Sequence, residues 1–98
     1  MLENKFKTKL IQDIEKRFPG SMVFHLDPGE KQGAPDLLVL YGDRWAALEG
    51  KRSKTASHRQ NQDYYVQIMD KMSFARFIYP ENKEEVLNEL QRAFGTGR

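Results

Sequence analysis

Residues 33–53 read GAPDLLVLYGDRWAALEGKRS, and the order of residue types in this stretch decides what kind of sheet the chain can build. Two apolar runs, Asp36 to Tyr41 and Arg44 to Lys51, are separated only by Gly42-Asp43. That pair suits a tight turn, so the runs read as strands of an antiparallel hairpin. Alternate residues of a strand face the same way, which puts Trp45, Ala47, Glu49 and Lys51 on one face and Ala46, Leu48 and Gly50 on the other. A carboxylate and an ammonium are thus presented side by side. Asp36, behind Pro35, opens the first strand, and the hairpin brings it alongside the strand that carries Glu49.

Before the hairpin, Phe6, Leu10, Ile11, Ile14 and Phe18 recur at helical spacing from Glu3 onward, and Pro19-Gly20 supplies a stop. The β-prone run SMVFHLD follows, with Met22, Phe24 and Leu26 alternating with Val23, His25 and Asp27, and Pro28-Gly29 ends it. The polar stretch GEKQGAP, with two glycines and a proline, reads as a flexible loop. Beyond the hairpin, RSKTAS is polar and basic, and a second helix places Tyr65, Ile68, Met69 and Met72 on one side. A strand, FARFIY, is closed by Pro80. A third helix, KEEVLNELQRAF, turns Val86, Leu87, Leu90, Ala93 and Phe94 inward, and GTGR reads as a frayed tail. The order helix, three strands, helix, strand, helix suits an α/β fold in which helices flank a mixed sheet.

The chain has 98 residues, 39% of them hydrophobic and 31% charged. That length predicts a single domain over residues 1–98 with a modest core. No run approaches the roughly 20 apolar residues needed to span a bilayer, which argues against a membrane protein. The start MLENKFKTKL lacks the apolar centre of a secretory signal and there is no cysteine, so a cytoplasmic location is expected. A net charge of +2 is too small to establish a polyanionic partner. Its distribution says more. Lys51, Arg52, Lys54, His58 and Arg59 fall in one stretch without an acid, while Lys5, Lys7, Lys9, Lys16 and Arg17 load the first helix; for either cluster alone a solvated face is the plainer interpretation.

Two carboxylates and a lysine converging at one end of a hairpin have a specific use. Hard divalent ions such as magnesium take a few carboxylate oxygens together with water and substrate phosphate. Asp36 and Glu49 would hold the ion, and Lys51 would orient a water or neutralise phosphate oxygens, which is the chemistry of phosphodiester hydrolysis. The plainer alternative makes Glu49 and Lys51 a solvent-facing pair on an edge strand and Asp36 a turn residue. At about 100° per residue, Glu3 falls near the middle of the apolar arc of the first helix, where it either escapes to solvent or reaches the metal; Glu15, at the arc's edge, is the other candidate. Gln62 projects from the second helix beside Tyr65, Val66 and Met69, and an amide there needs a partner. His25 and His58 lack zinc-ligand spacing, and His58 is better suited to touch a phosphate.

Pro35-Asp36 followed after the hairpin by Glu49-Gly50-Lys51 resembles the PD-(D/E)XK nuclease signature. The nearest likeness is to stand-alone, virus-type VRR-NUC domains, carried by residues 33–53 and by HRQNQDYYV at 58–66. The resemblance implies a restriction-endonuclease-like core and a magnesium-dependent DNA endonuclease in which manganese can substitute. It implies Asp36, Glu49, Glu3 and the Gly50 carbonyl as metal ligands, Lys51 as the catalytic lysine, and Gln62 as the downstream glutamine. Arg52, Lys54, His58 and Arg59 would contact DNA. Stand-alone members of this type are similar to junction resolvases, which implies a homodimer that incises branched DNA such as four-way junctions. Other expectations are a flap or nicking endonuclease of viral replication or packaging, or a non-catalytic DNA-binding subunit. Glycine at the middle of the motif departs from the β-branched or apolar residue commoner there, and would permit close approach of a phosphate.

Overall fold

The computed structural model describes residues 2–27 and 29–95, so Pro28 and the last three residues of the expected tail lie outside the described residues. The elements are α1 (Glu3–Arg17), β1 (Met22–His25), β2 (Leu37–Tyr41), β3 (Arg44–Gly50), α2 (Gln62–Met72), β4 (Ala75–Ile78) and α3 (Lys83–Phe94). This is the element order expected from the hydrophobic pattern. The four strands form one sheet in the order β1-β2-β3-β4. β1, β2 and β3 pair antiparallel in sequence and β4 runs parallel to β3, so the sheet is mixed.

The hairpin register pairs Leu37 with Leu48 and Tyr41 with Arg44 across Gly42-Asp43. One face of the sheet carries Leu37, Val39, Ala46, Leu48 and Ile78 against Phe6, Leu10 and Ile14 of α1 and Val86, Leu87, Leu90 and Phe94 of α3. This is the main core. The opposite face packs Ala47, Ala75, Trp45 and Phe77 against Val66 and Met69 of α2. Because both faces of β3 are covered, its last five residues are all buried, and any charge near its end is held in low dielectric.

Three expectations need correction. The first strand is shorter than residues 21–27, although Leu26 still donates its backbone N–H to the Asp36 carbonyl at 2.7 Å. The inward stripe of α2 is Gln62, Val66 and Met69, whereas Met72 is 70% exposed. β3 and β4 lie beneath this helix, so a narrow line of it is covered. Ala93 is exposed at the edge of the α3 stripe, and its carbonyl accepts a hydrogen bond from Arg44 at 2.9 Å.

Candidate functional site

The end of β3, the start of β2, the N-terminal turns of α1 and α2 and the chain leaving β1 all meet at one end of the sheet. Between them lies a cleft of about 700 Å³ whose wall includes Glu3, Lys7, Asp36, Glu49, Lys51 and Gln62. All the side chains expected at a catalytic centre therefore line one cavity. Glu49 and Lys51 are each only 6% exposed, which rules out the solvent-facing pair. Glu15 is exposed, so Glu3 is the acid that α1 brings to the cleft.

Asp36 is fixed from two directions, with a histidine nearby. Its Oδ1 accepts the Gly50 N–H at 3.2 Å, its Oδ2 is paired with the Lys7 ammonium, and His25 Nε2 lies 3.9 Å from the same oxygen. Lys7 also donates to Glu3 Oε2 at 2.9 Å. The Lys7 side chain is only 12% exposed. Burial pulls its pKa down, but hydrogen bonds to Asp36 and Glu3 and their negative charge outweigh this, and the ammonium ends above its usual value. Glycine at position 50 makes the arrangement possible. A Cβ there would sit 2.9 Å from Lys7 Cε and 3.0 Å from its Cγ, so the lysine stem lies where a side chain would otherwise project.

Glu49 is treated differently. Among the described residues its carboxylate takes no hydrogen bond, and burial, followed by the charge of Asp36, pushes its pKa up to about 7; the nearby Lys51 and Lys7 only partly counter this. Lys51 is committed elsewhere: its Nζ donates to Gln62 Oε1 at 2.6 Å and to the Ser57 carbonyl at 3.2 Å. The same Gln62 oxygen accepts the Arg59 N–H at 2.8 Å. The polar amide on the α2 stripe thus finds its partner in the lysine, at the first residue of the helix, where the chain enters through Asn61 at φ +71°. One further contact shapes the wall. Gly33, at φ +94°, lies so close to the turn before α2 that a Cβ would be 2.7 Å from the Gln60 carbonyl and 2.9 Å from Asn61.

The basic residues divide. Arg59 lines the cleft, whereas Arg52, Lys54 and His58 lie outside its lining. His58 stacks on Phe77 at 4.1 Å and hydrogen-bonds Asp63 at 2.8 Å, and the Lys54 N–H is bound by Glu81 at 3.2 Å. Lys7 is the site residue that pattern reading passed over, because it belongs to the lysine-rich face of α1. Its one sequence signal is the helical i,i+4 spacing from Glu3.

The donor chemistry suits a hard divalent cation: two carboxylates close enough to repel, one of which, Glu49, takes no hydrogen bond among the described residues. Among the described residues no group of three or more His, Cys, Asp or Glu is arranged to hold a metal, and Glu3 Oε2 accepts the Lys7 ammonium. A cation here would take its remaining ligands from backbone, water and substrate. No family model, curated protein or solved structure matches the chain. No helix of the described residues is long and apolar enough to cross a membrane.

Proposed function

We propose that this protein is a magnesium-dependent endonuclease of the PD-(D/E)XK kind, with a VRR-NUC-like core, that hydrolyses phosphodiester bonds in DNA. The observation that carries the reading is the buried Glu49 carboxylate, which takes no hydrogen bond among the described residues, beside Asp36 in a cleft that also holds Lys51. Lys7 is paired with Asp36 and not with Glu49, so the buried Glu49 carboxylate is the group that a divalent cation shared with Asp36 would stabilise most. Asp36, Glu49 and the Gly50 carbonyl would hold magnesium or manganese, with Glu3 in reserve on α1. The bound ion supplies an acidified water and offsets charge growing on the phosphate.

The protein's own groups supply the rest. An ammonium has three N–H donors, and Lys51 uses two on Gln62 and Ser57, which leaves one for a phosphate oxygen or the attacking water. Gln62 fixes the direction of that donor, and Arg59 adds positive charge at the rim. A chain of this size offers little surface to grip a branched duplex, so a homodimer acting on four-way junctions in the cytoplasm is the favoured form. A flap or nicking enzyme would use the same groups on another substrate shape. The reading as a non-catalytic DNA-binding subunit draws on the Lys7–Asp36 pair, which neutralises one acid without a metal.

The test is a panel of four-way junction, flap, nicked, linear and single-stranded DNAs with and without magnesium, run beside Asp36→Asn. Wild-type protein is expected to cut branched DNA only with the metal, and light scattering should give twice the chain mass. A folded sample that neither nicks DNA nor binds manganese would leave the binding subunit as the better reading.

A further inference from the structure

Lys7 stands out because its neighbours give it more than an ordinary helix-surface pair. Its ammonium bridges Glu3 and Asp36, its stem fills the space above Gly50, and it is nearly removed from solvent. Spacing alone accounts for the Glu3 contact. It does not account for the reach to Asp36, along which the lysine stem occupies the space that a side chain at position 50 would fill. The double acid contact and the glycine cradle together place one positive charge against an acid that the nuclease reading assigns to the cation.

We infer that Lys7 is a built-in competitor for the cation site: its ammonium neutralises Asp36 and Glu3 while the metal is away, and must be drawn off Asp36 for a divalent ion to bind. This rests on the proposed function and adds to it the residue that sets how tightly the ion is held. The physical argument is exchange of one cation for another on a shared carboxylate. Lys7 lowers the energy of the metal-free state, and any interaction confined to that state weakens the observed affinity by the same amount. When displaced, the ammonium remains in the cleft wall beside Glu3 and becomes available to a phosphate oxygen. Glu49 does not share this contact, which leaves Asp36 as the place where the exchange occurs.

The test is manganese binding to the folded, DNA-free protein at pH 8 by titration calorimetry, for wild type, Lys7→Met, Lys7→Gln, Gly50→Ala and Asp36→Asn. Methionine keeps the length of the stem and removes the charge. Alanine at position 50 pushes the stem aside and keeps the backbone carbonyl. Both lysine variants are expected to bind manganese on the order of tenfold more tightly, and Gly50→Ala to move the same way by less. Equal or weaker binding by both lysine variants, with wild-type binding that Asp36→Asn abolishes, would overturn the role of Lys7 and leave the metal site standing. Failure of every variant and the wild type to bind manganese would overturn both.

Discussion

Two lysine–aspartate contacts on α1 look alike and have opposite surroundings. Near the helix's middle, Asp13 is paired with Lys83 of α3 and also accepts Lys9 Nζ at 2.7 Å. The hydrogen bonds from these two lysines hold its carboxyl below the usual range. One turn from the helix start, Lys7 meets Asp36 and Glu3, with Glu49 beyond them pushed up to about 7. In the first region cations outnumber the acid, and in the second acids outnumber the committed cation. The first pair ties α3 to α1 over the core. The second leaves Glu49 without a hydrogen-bonded cation inside a cleft, the kind of perturbed acid that is enriched at functional sites.

Removing one acid from each region breaks the comparison most sharply. Asp36→Asn is expected to lower the rate of DNA cleavage about 10³-fold, because several kcal/mol of charge stabilisation goes with the metal. Asp13→Asn should leave that rate within about twofold and lower the melting temperature by no more than about 5 °C. Equal losses of activity in both would erase the distinction.

The next largest effect concerns pH. An acid whose pKa is raised on folding binds a proton more readily in the native state. Its contribution to stability is therefore greatest below the unfolded value near 4.5, declines as pH rises, and levels off above about 7. Glu49→Gln should flatten that decline in thermal unfolding and make the protein more stable than wild type at pH 8, even as it abolishes cleavage. In the wild type, manganese affinity should rise by up to about tenfold per unit towards pH 7 and then flatten, because the ion needs the ionised carboxylate. No comparable slope is expected from Asp13.

Gln62→Leu is predicted to cut turnover about 10- to 100-fold, the worth of one charge-assisted hydrogen bond to Lys51, with little change in DNA affinity. A fall in affinity with turnover intact would assign Gln62 to binding instead. The smallest effect is at the rim. Arg59→Ala should reduce the slope of log affinity against log salt by about 1, and His58→Ala, whose ring is occupied by Phe77 and Asp63, should leave it unchanged.

Much of the fold was legible because it rests on short-range pattern. Gly42-Asp43 between two apolar runs fixed the hairpin register, and the register carried Asp36 to the same end as Glu49. Gln62 was legible as a polar group on a covered stripe, though not which group it would serve. Lys7 was not legible. An i,i+4 lysine on a basic helix face is normally solvated, and only the placement of α1 across β3 turns it inward above Gly50. The exact stripe of α2 was hidden for a related reason: periodicity gives a helix its apolar side, but the two strands beneath decide which part of that side is covered. His58 likewise sits in a basic stretch by sequence, while its stacking partner Phe77 is brought to it by β4.

The contact at Gly33 bears on the lysine it never touches. Gly33 rests on the carbonyl of Gln60 and on Asn61, the turn from which Gln62 enters its helix and reaches Lys51. The connection between the first two strands is therefore a spacer for the neighbouring turn, and its thickness is that of bare backbone. Any side chain added there would press on that turn, so the placement of the Lys51 ammonium against Gln62 is set in part by a residue that contributes no atom beyond the main chain.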